Sequence, residues 1–312
     1  MALYLVTGGA GFIGSHLVEE FVKKGESVRV LDDFSTGKRE NLEPWLDEIE
    51  LIEGSVEDRE ICTEAVQEVE FVLHQAALCS VPRSVENPVA TNASNVTGTL
   101  NLLWACKEAG LKRFVCAGSS SVYGDSEVLP KVETMVPNPC SPYAISKMVQ
   151  EHYCLVFHRL YGLETVVLRY FNVFGSRQDA YSPYAAVIPS FAQALMRGSR
   201  ASIYGDGHQS RDFTYVKDCI RANILACEAA GAVGEVFNIA SGRRVTINDL
   251  YDRIAGLLGK RERPEYKPPR QGDVRHSLAD ISKAHRLLGY EPAYTLDQGL
   301  AEAIGWYERY LS

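Results

Sequence analysis

The first half of the chain alternates short, unbroken apolar runs with longer stretches whose apolar residues recur every three or four positions. Leu3–Val6 is the first run; Ile13, Leu17 and Phe21 follow at helical spacing in a segment, Ile13–Lys24, that stops at Gly25. Val28–Leu31, Leu51–Ile52 (the weakest), Phe71–Leu73, Phe114–Ala117 and Thr165–Tyr170 supply further runs. Long helical patterns over Val89–Ala109 and Tyr143–Tyr161 lie between the later ones. A strand that is apolar at every position is covered on both faces. The pattern therefore predicts an α/β fold, a doubly wound parallel sheet with helices on either side and right-handed connections.

After Tyr170 the texture changes. Pro183, Pro189, Gly198, Gly205 and Gly207 break the pattern into short pieces. A strand over Val236–Ala240, a helix over Asn248–Leu258, a proline-rich loop (Pro264, Pro268, Pro269) and a last helix over Leu296–Tyr310 follow. We read residues 1–170 as the sheet domain and 171–312 as a smaller α/β lobe capping the carboxyl ends of its strands. The boundary is soft, with room for the chain to cross back to the sheet once. No internal repeat or low-complexity tract interrupts this scheme.

Composition narrows the partners. The chain has 312 residues, 46% hydrophobic and 23% charged, with a net charge of -8, as in an ordinary globular enzyme. Without a basic patch, a nucleic-acid polymer is not expected, whereas a small anion needs only two or three arginines. A strand pattern within three residues of the start leaves no room for a signal peptide, and no apolar run approaches the ~20 residues of a membrane span. The eight cysteines form no CxxC pair and have few histidines near them, which argues against a zinc site or a disulfide framework. Scattered reduced thiols suit a cytoplasmic protein.

Candidate chemistry starts between the first run and the first helix, where Gly8, Gly11 and Gly14 form G-x-x-G-x-x-G. The early glycines permit a tight turn and let backbone N–H groups approach a pyrophosphate; Gly14 permits close helix–strand packing. The helix N-terminus adds partial positive charge. In that position the motif predicts a Rossmann dinucleotide turn. Asp32, ending the second run, is placed to bind a ribose diol and repel a 2′-phosphate, favouring NAD over NADP. Asp33 competes if the strand runs one residue longer, and Lys38 with Arg39 keep NADP open.

Tyr143 and Lys147, four residues apart, share one helix face, and Ser119 follows the fifth run at its carboxyl end. A free phenol titrates near ~10. A lysine one turn away and a positive nicotinamide would lower that value and make Tyr143 a base, with Ser119 sharing the substrate proton. Lys147 can also reach the nicotinamide ribose. The alternative is an exposed i, i+4 pair of no chemical consequence.

Further motifs follow in order: HQAAL at 74–78, NVTGT at 95–99, SSSVYG at 119–124, SPYAISK at 141–147, RYFNVFG at 169–175, RDFTYVKD at 211–218 and RQGDV at 270–274. With TGGAGFIG at the start, the chain resembles the extended short-chain dehydrogenase/reductases, more closely their nucleotide-sugar epimerases and dehydratases. The resemblance implies tightly held NAD, a C-terminal UDP-sugar lobe, and a homodimer through the helices at Val89–Ala109 and Tyr143–Tyr161. It implies cofactor contacts from Gly8, Gly11, Phe12, Ile13, Gly14, Asp32, Val56, Gln75, Ala76, Ala77, Tyr143, Lys147 and Tyr170. It implies substrate contacts from Ser119, Tyr143, Asn172, Val187, Tyr204, Arg211, Arg270, Asp273 and Ser277. Of these, Asn172, Arg211, Arg270 and Asp273 would hold the nucleotide, with Asp273 accepting from the uridine ribose. The planar forks of the two arginines suit a diphosphate, surface ion pairing being the alternative. Asn95 is expected to brace a strand or the cofactor loop. Where the family often has an aspartate near the adenine, this chain has Ser55.

Local residues separate the branches. Dehydratases need an acid pair just after the catalytic hydroxyl; here Ser120 and Ser121 stand there, and the glutamate usual in decarboxylases is absent too. The segments SVPRS (80–84) and RQDAYSPYAAVIP (177–189) look like the UDP-N-acetylglucosamine 4-epimerase group. Ser277 aligns with a position near carbon 2 of the sugar, where a small residue admits an N-acetyl group, unless it is simply a loop residue. The resemblance thus implies NAD-dependent 4-epimerisation of a UDP-hexose, acetylated or not, through a transient 4-keto sugar. One alternative is a UDP-glucuronate 4-epimerase, with Arg83 or Arg177 meeting the carboxylate. The other is a non-catalytic NAD(H) sensor on the same fold.

Overall fold

The computed structural model describes residues 2–182, 184–269 and 274–311. Seven strands form one parallel sheet: β1 (Leu3–Thr7), β2 (Ser27–Asp32), β3 (Ile49–Glu53), β4 (Phe71–His74), β5 (Arg113–Ser119), β6 (Thr165–Tyr170) and β7 (Glu235–Ile239). Their order is β7-β6-β5-β4-β1-β2-β3, and every neighbouring pair is parallel. β4, β5 and β6 are buried at every position, which is why apolar residues dominate them; the one charge inside β6, Arg169, is buried against Glu151. β3 lies at the edge and is only partly buried, which accounts for its faint pattern. The strand expected at 236–240 in the second lobe is β7, and it closes the sheet beside β6. The sheet therefore draws on residues from both sides of position 170.

Helices cover both faces. α1 (Phe12–Lys23) and α5 (Val216–Glu228) pack on one, through Leu17, Phe21, Ile220 and Ala222. α2 (Gly98–Ala109) and α3 (Pro142–Tyr161) pack on the other, through Leu102, Cys106, Cys154 and Phe157. The helical pattern at 89–109 is three joined pieces: Pro88–Asn92, a π-helical turn over Ala93–Thr97, and α2. Asn92, Ala93, Thr97 and Gly98 keep right-handed helical dihedrals, so the axis continues through the wide turn. Such turns accommodate an extra residue, and functional sites often use them.

Two expectations beyond Tyr170 need correction. Pro189 does not break the chain: it sits in the first turn of α4 (Val187–Met196), where its missing N–H has no helical partner to lose. The proline-rich loop contains a short strand, Glu265–Lys267, paired in parallel with Ser202–Tyr204. Pro264 and Pro268 flank this strand, where they interrupt no ladder bond. The last helix, α6, runs Leu296–Leu311. Among the described residues, no helix is long and apolar enough to cross a membrane.

Candidate active site

β1 passes to α1 through Gly8, whose φ of +68° lies in the left-handed region. Its N–H donates to the Leu31 carbonyl at 2.8 Å, and the Gly11 N–H donates back to the Gly8 carbonyl at 3.1 Å. A Cβ on Gly14 would stand 2.0 Å from the Gly8 oxygen, and one on Gly8 2.7 Å from the Ala76 nitrogen. The turn therefore closes only with glycine. Gly11 caps α1 without a side-chain bond, and the first turn carries no acid, so the positive helix end is unneutralised.

That end opens on a cavity of about 1250 Å³. Gly8, Gly11, Phe12, Ile13 and Gly14 line it, as do Asp32, Val56, Gln75, Ala76, Ala77, Tyr143, Lys147 and Tyr170. All the residues expected around a cofactor thus face one space. Asp32, not Asp33, ends β2; its Oδ2 accepts from the Ala10 N–H and its Oδ1 from the Phe34 N–H, both at 2.8 Å. Burial raises its pKa, and the two backbone bonds oppose the rise. Lys38 also faces the cavity, but its Nζ donates to the Tyr310 hydroxyl at 2.7 Å and pairs with Asp179 at 3.4 Å. Arg39 pairs with Glu53. Both cations already face carboxylates of the protein. A glycine cradle, a positive helix end and a buried acid at the second strand fit NAD. Ser55 does not line the cavity; its flanking residues Gly54 and Val56 do.

Ser119, the last residue of β5, accepts from the Ser121 N–H at 3.2 Å, and its hydroxyl stands beside that of Tyr143. Tyr143 stands in the first turn of α3, its N–H donating to Ser84 Oγ at 3.1 Å. Lys147 is buried one turn on, and its Nζ donates to the Ala117 carbonyl at 2.9 Å. Burial pushes the Tyr143 pKa up, Cys79 adds to the rise, and the Ser119 hydroxyl opposes it. Lys147 does not enter this balance in the protein alone; the lowering expected from the lysine together with a positive nicotinamide concerns the site with cofactor bound. Lys147 is tied to Ala117, and burial shifts its own pKa downward. In the protein alone, Tyr143 holds its proton.

Asn95 braces this arrangement from the π-helical turn. Its Oδ1 accepts from the Leu78 N–H at 2.8 Å, and its Nδ2 donates to the Leu78 carbonyl at 3.2 Å and to Ser146 Oγ at 2.9 Å. Ser146 in turn donates to the Tyr143 carbonyl at 2.7 Å. One amide therefore joins the loop after β4 to the helix bearing Tyr143. Behind it, His74 meets Thr7 and Thr99 at 2.8 Å each.

A second cavity, about 960 Å³, lies in the C-terminal part. Asn172, Val187, Tyr204 and Arg211 line it. Asn172 takes a φ of +35°, uncommon for a residue with a side chain, and its Nδ2 donates to the Asp212 carbonyl at 3.0 Å. Arg211 Nη1 donates to the carbonyls of Ser210 at 3.0 Å and Arg275 at 3.2 Å. Ser119 lines neither cavity, although it reaches Tyr143, which lines the first. Ser277 is also off the second cavity, its N–H donating to the Ser210 carbonyl at 3.0 Å. Arg270 and Asp273 lie outside the described residues. Sequence reading missed Gln178, which lines the second cavity with a buried Oε1 that has no partner. It sits in an irregular loop, where no periodicity or spacing marks it. Arg83 stacks over the Tyr184 ring at 5.6 Å, and Arg177 pairs with Glu19 at 2.5 Å.

With this geometry in hand, comparison with known proteins is specific. A model of the NAD dependent epimerase/dehydratase family matches residues 4–240. The UDP-glucose 4-epimerase of Mycolicibacterium smegmatis is 37% identical, over 97% of this chain and 97% of its own. The crystal structure of UDP-glucose 4-epimerase from Thermotoga maritima with UDP-glucose superposes with a TM-score of 0.95 at 41% identity, covering 99% of this chain and 100% of that one. UDP-N-acetylglucosamine 4-epimerase from Methanobrevibacter ruminantium, in complex with UDP-N-acetylmuramic acid, has a TM-score of 0.95 at 41% identity, with 99% of each chain covered.

Proposed function

The chain belongs to the NAD dependent epimerase/dehydratase family, and from that premise we propose that it inverts carbon 4 of a UDP-hexose. UDP-glucose with UDP-galactose, and their N-acetylated counterparts, are the substrate pairs. One observation supports this reading above the others: Tyr143, with the Ser119 hydroxyl beside it, stands with Lys147 on the cavity behind the glycine turn. Bound there by the glycine turn and Asp32, NAD supplies a reversible acceptor for the hydride of carbon 4.

The protein's residues do the rest. Tyr143 takes the proton of the carbon-4 hydroxyl as the C–H bond breaks, and the neighbouring Ser119 hydroxyl shares it. Since burial holds the phenol protonated, the positive charge that arrives with the cofactor is what turns Tyr143 into a base. Lys147, anchored on Ala117, keeps a cation beside the nicotinamide ribose. Asn172 and Arg211, with Arg270 and Asp273, hold the UDP while the 4-keto sugar turns over. As the hydride is given back to the opposite face of carbon 4, Tyr143 returns the proton to the carbon-4 oxygen. Ser120 and Ser121 put no carboxylate where water elimination would need one. Arg83 stacks on Tyr184, and Arg177 lines the first cavity and not the second, which disfavours the glucuronate reading.

We further propose a homodimer through α3 and the helices at 81–92, where Val85, Val89, Val156 and Leu160 are exposed. The substrate lobe is 171–312 less β7. Free cysteines throughout suit the cytoplasm. Incubating the purified protein with each UDP-hexose and identifying the products tests the activity. Tyr143→Phe should lower turnover by roughly 10²–10⁴-fold while NAD stays bound. Full turnover in that variant would end the proposal.

A further inference from the structure

We infer that Arg177 is a contact for the pyrophosphate of the dinucleotide, acting with the N-terminus of α1. The inference rests on the NAD reading above and adds a residue to it. Arg177 lines the cavity that holds Gly8, Gly11, Gly14 and Asp32, and is absent from the wall of the second cavity. Its φ of +63° lies in the left-handed region, which a side chain occupies at a cost. The strain aims the side chain back toward α1, where its Nη2 pairs with Glu19 at 2.5 Å.

The guanidinium is not satisfied there. Nη1 is buried and has no hydrogen-bond partner among the described residues. A buried N–H of a charged group left unpaired is costly, and a ligand oxygen removes that cost. The other cavity cations are engaged: Lys147 donates to Ala117, and Lys38 to Tyr310 and Asp179. His16, bonded to the Ser176 carbonyl, has its pKa pushed down to about 4, first by burial and then by Arg177. It therefore stays neutral, and the charge on this wall belongs to Arg177.

The ligand chemistry follows. The helix end supplies only partial positive charge, whereas a pyrophosphate carries two negative charges. A planar guanidinium fork beside that end supplies the missing cation in a geometry suited to phosphate oxygens. The same loop sends Gln178 to the second cavity. Adjacent residues thus serve two spaces, with the arginine given to the cofactor.

Binding of NAD, ADP-ribose and adenosine to the NAD-depleted full-length protein, followed by calorimetry, tests this. Only the first two carry a pyrophosphate. Arg177→Gln should weaken NAD and ADP-ribose by roughly 10- to 100-fold, the range of a hydrogen bond to a charged group, and leave adenosine unchanged. Glu19→Gln, which breaks the ion pair but keeps the guanidinium, should leave all three within about twofold. Should Arg177→Gln not fold, Arg177→Lys is read the same way and should lose affinity only for the pyrophosphate-bearing pair. Unchanged ADP-ribose affinity overturns the inference. So does an equal loss in Glu19→Gln, or a defect confined to UDP-glucuronate turnover. If the unaltered protein binds no NAD, the cofactor reading itself fails, a distinct result.

Discussion

At the scale of single residues, burial decides more than spacing does. His74 is 1% exposed and hydrogen-bonded at both ring nitrogens. Thr99 Oγ1 gives its proton to the Asn95 carbonyl, so it accepts from the Nε2–H of His74, and the Thr7 hydroxyl donates to Nδ1. Burial, reinforced by Lys147, pushes the His74 pKa down to about 3, and His16 falls to about 4. Because both values are lowered by folding, the unfolded chain takes up these protons first. Stability is then lost as pH falls below about 6.5, at up to about 1.4 kcal/mol per pH unit for each histidine. Asp212 acts in the opposite sense: burial raises it to about 6, so the folded form takes up its proton first and gains stability as pH falls from 6 towards 4. Urea unfolding from pH 7 to 4 should show a net loss, and His74→Gln should flatten it; an unaltered slope would refute the assignment. The glycines and Asp32 were legible in the sequence because backbone sterics and strand ends demand them. The raised Tyr143 and the orphaned Gln178 were not, since both depend on what surrounds them in space.

Among elements, the strands read best. β4, β5 and β6 announce themselves because both faces are covered, whereas in β3, half-exposed at the edge, Glu50 and Glu53 interrupt the three apolar positions. The helix at 89–109 was visible in outline, but its π-helical turn was not, because that turn exists for Asn95. Asn95 meets Leu78 twice and Ser146 once. Asn95→Ala should cost about 2–4 kcal/mol in urea unfolding, since it removes three bonds and leaves buried backbone groups of Leu78 unpaired. It should also lower turnover, because the loop after β4 and the start of α3 lose their common brace. A variant as stable and active as the parent would show the turn to be incidental. Pro189 misled because proline was read as a breaker; in a first helical turn it is tolerated.

For the whole molecule, the α/β class was legible and the pairing of its parts was not. The pattern at 236–240 gave a strand but not its neighbour, because pairing is fixed by contacts far away in the chain. The same holds for the outer surface of α3. Leu160, 69% exposed, shares a helix face with the exposed Val156. Leu160→Glu should convert a dimer to a monomer in sedimentation analysis, while NAD binding persists. A parent protein that sediments as a monomer would remove that interface. The late arrival of β7 has a consequence for biosynthesis. Until the ribosome has made residues 235–239, β6 ends the sheet with a bare row of amides on a strand whose centre, Val166–Leu168, is apolar. A nascent or truncated chain stopping near residue 170 carries an adhesive margin open to its neighbours. The N-terminal half should accordingly form inclusion bodies when expressed by itself, and the cell must shield that margin for as long as translation takes to supply the missing strand.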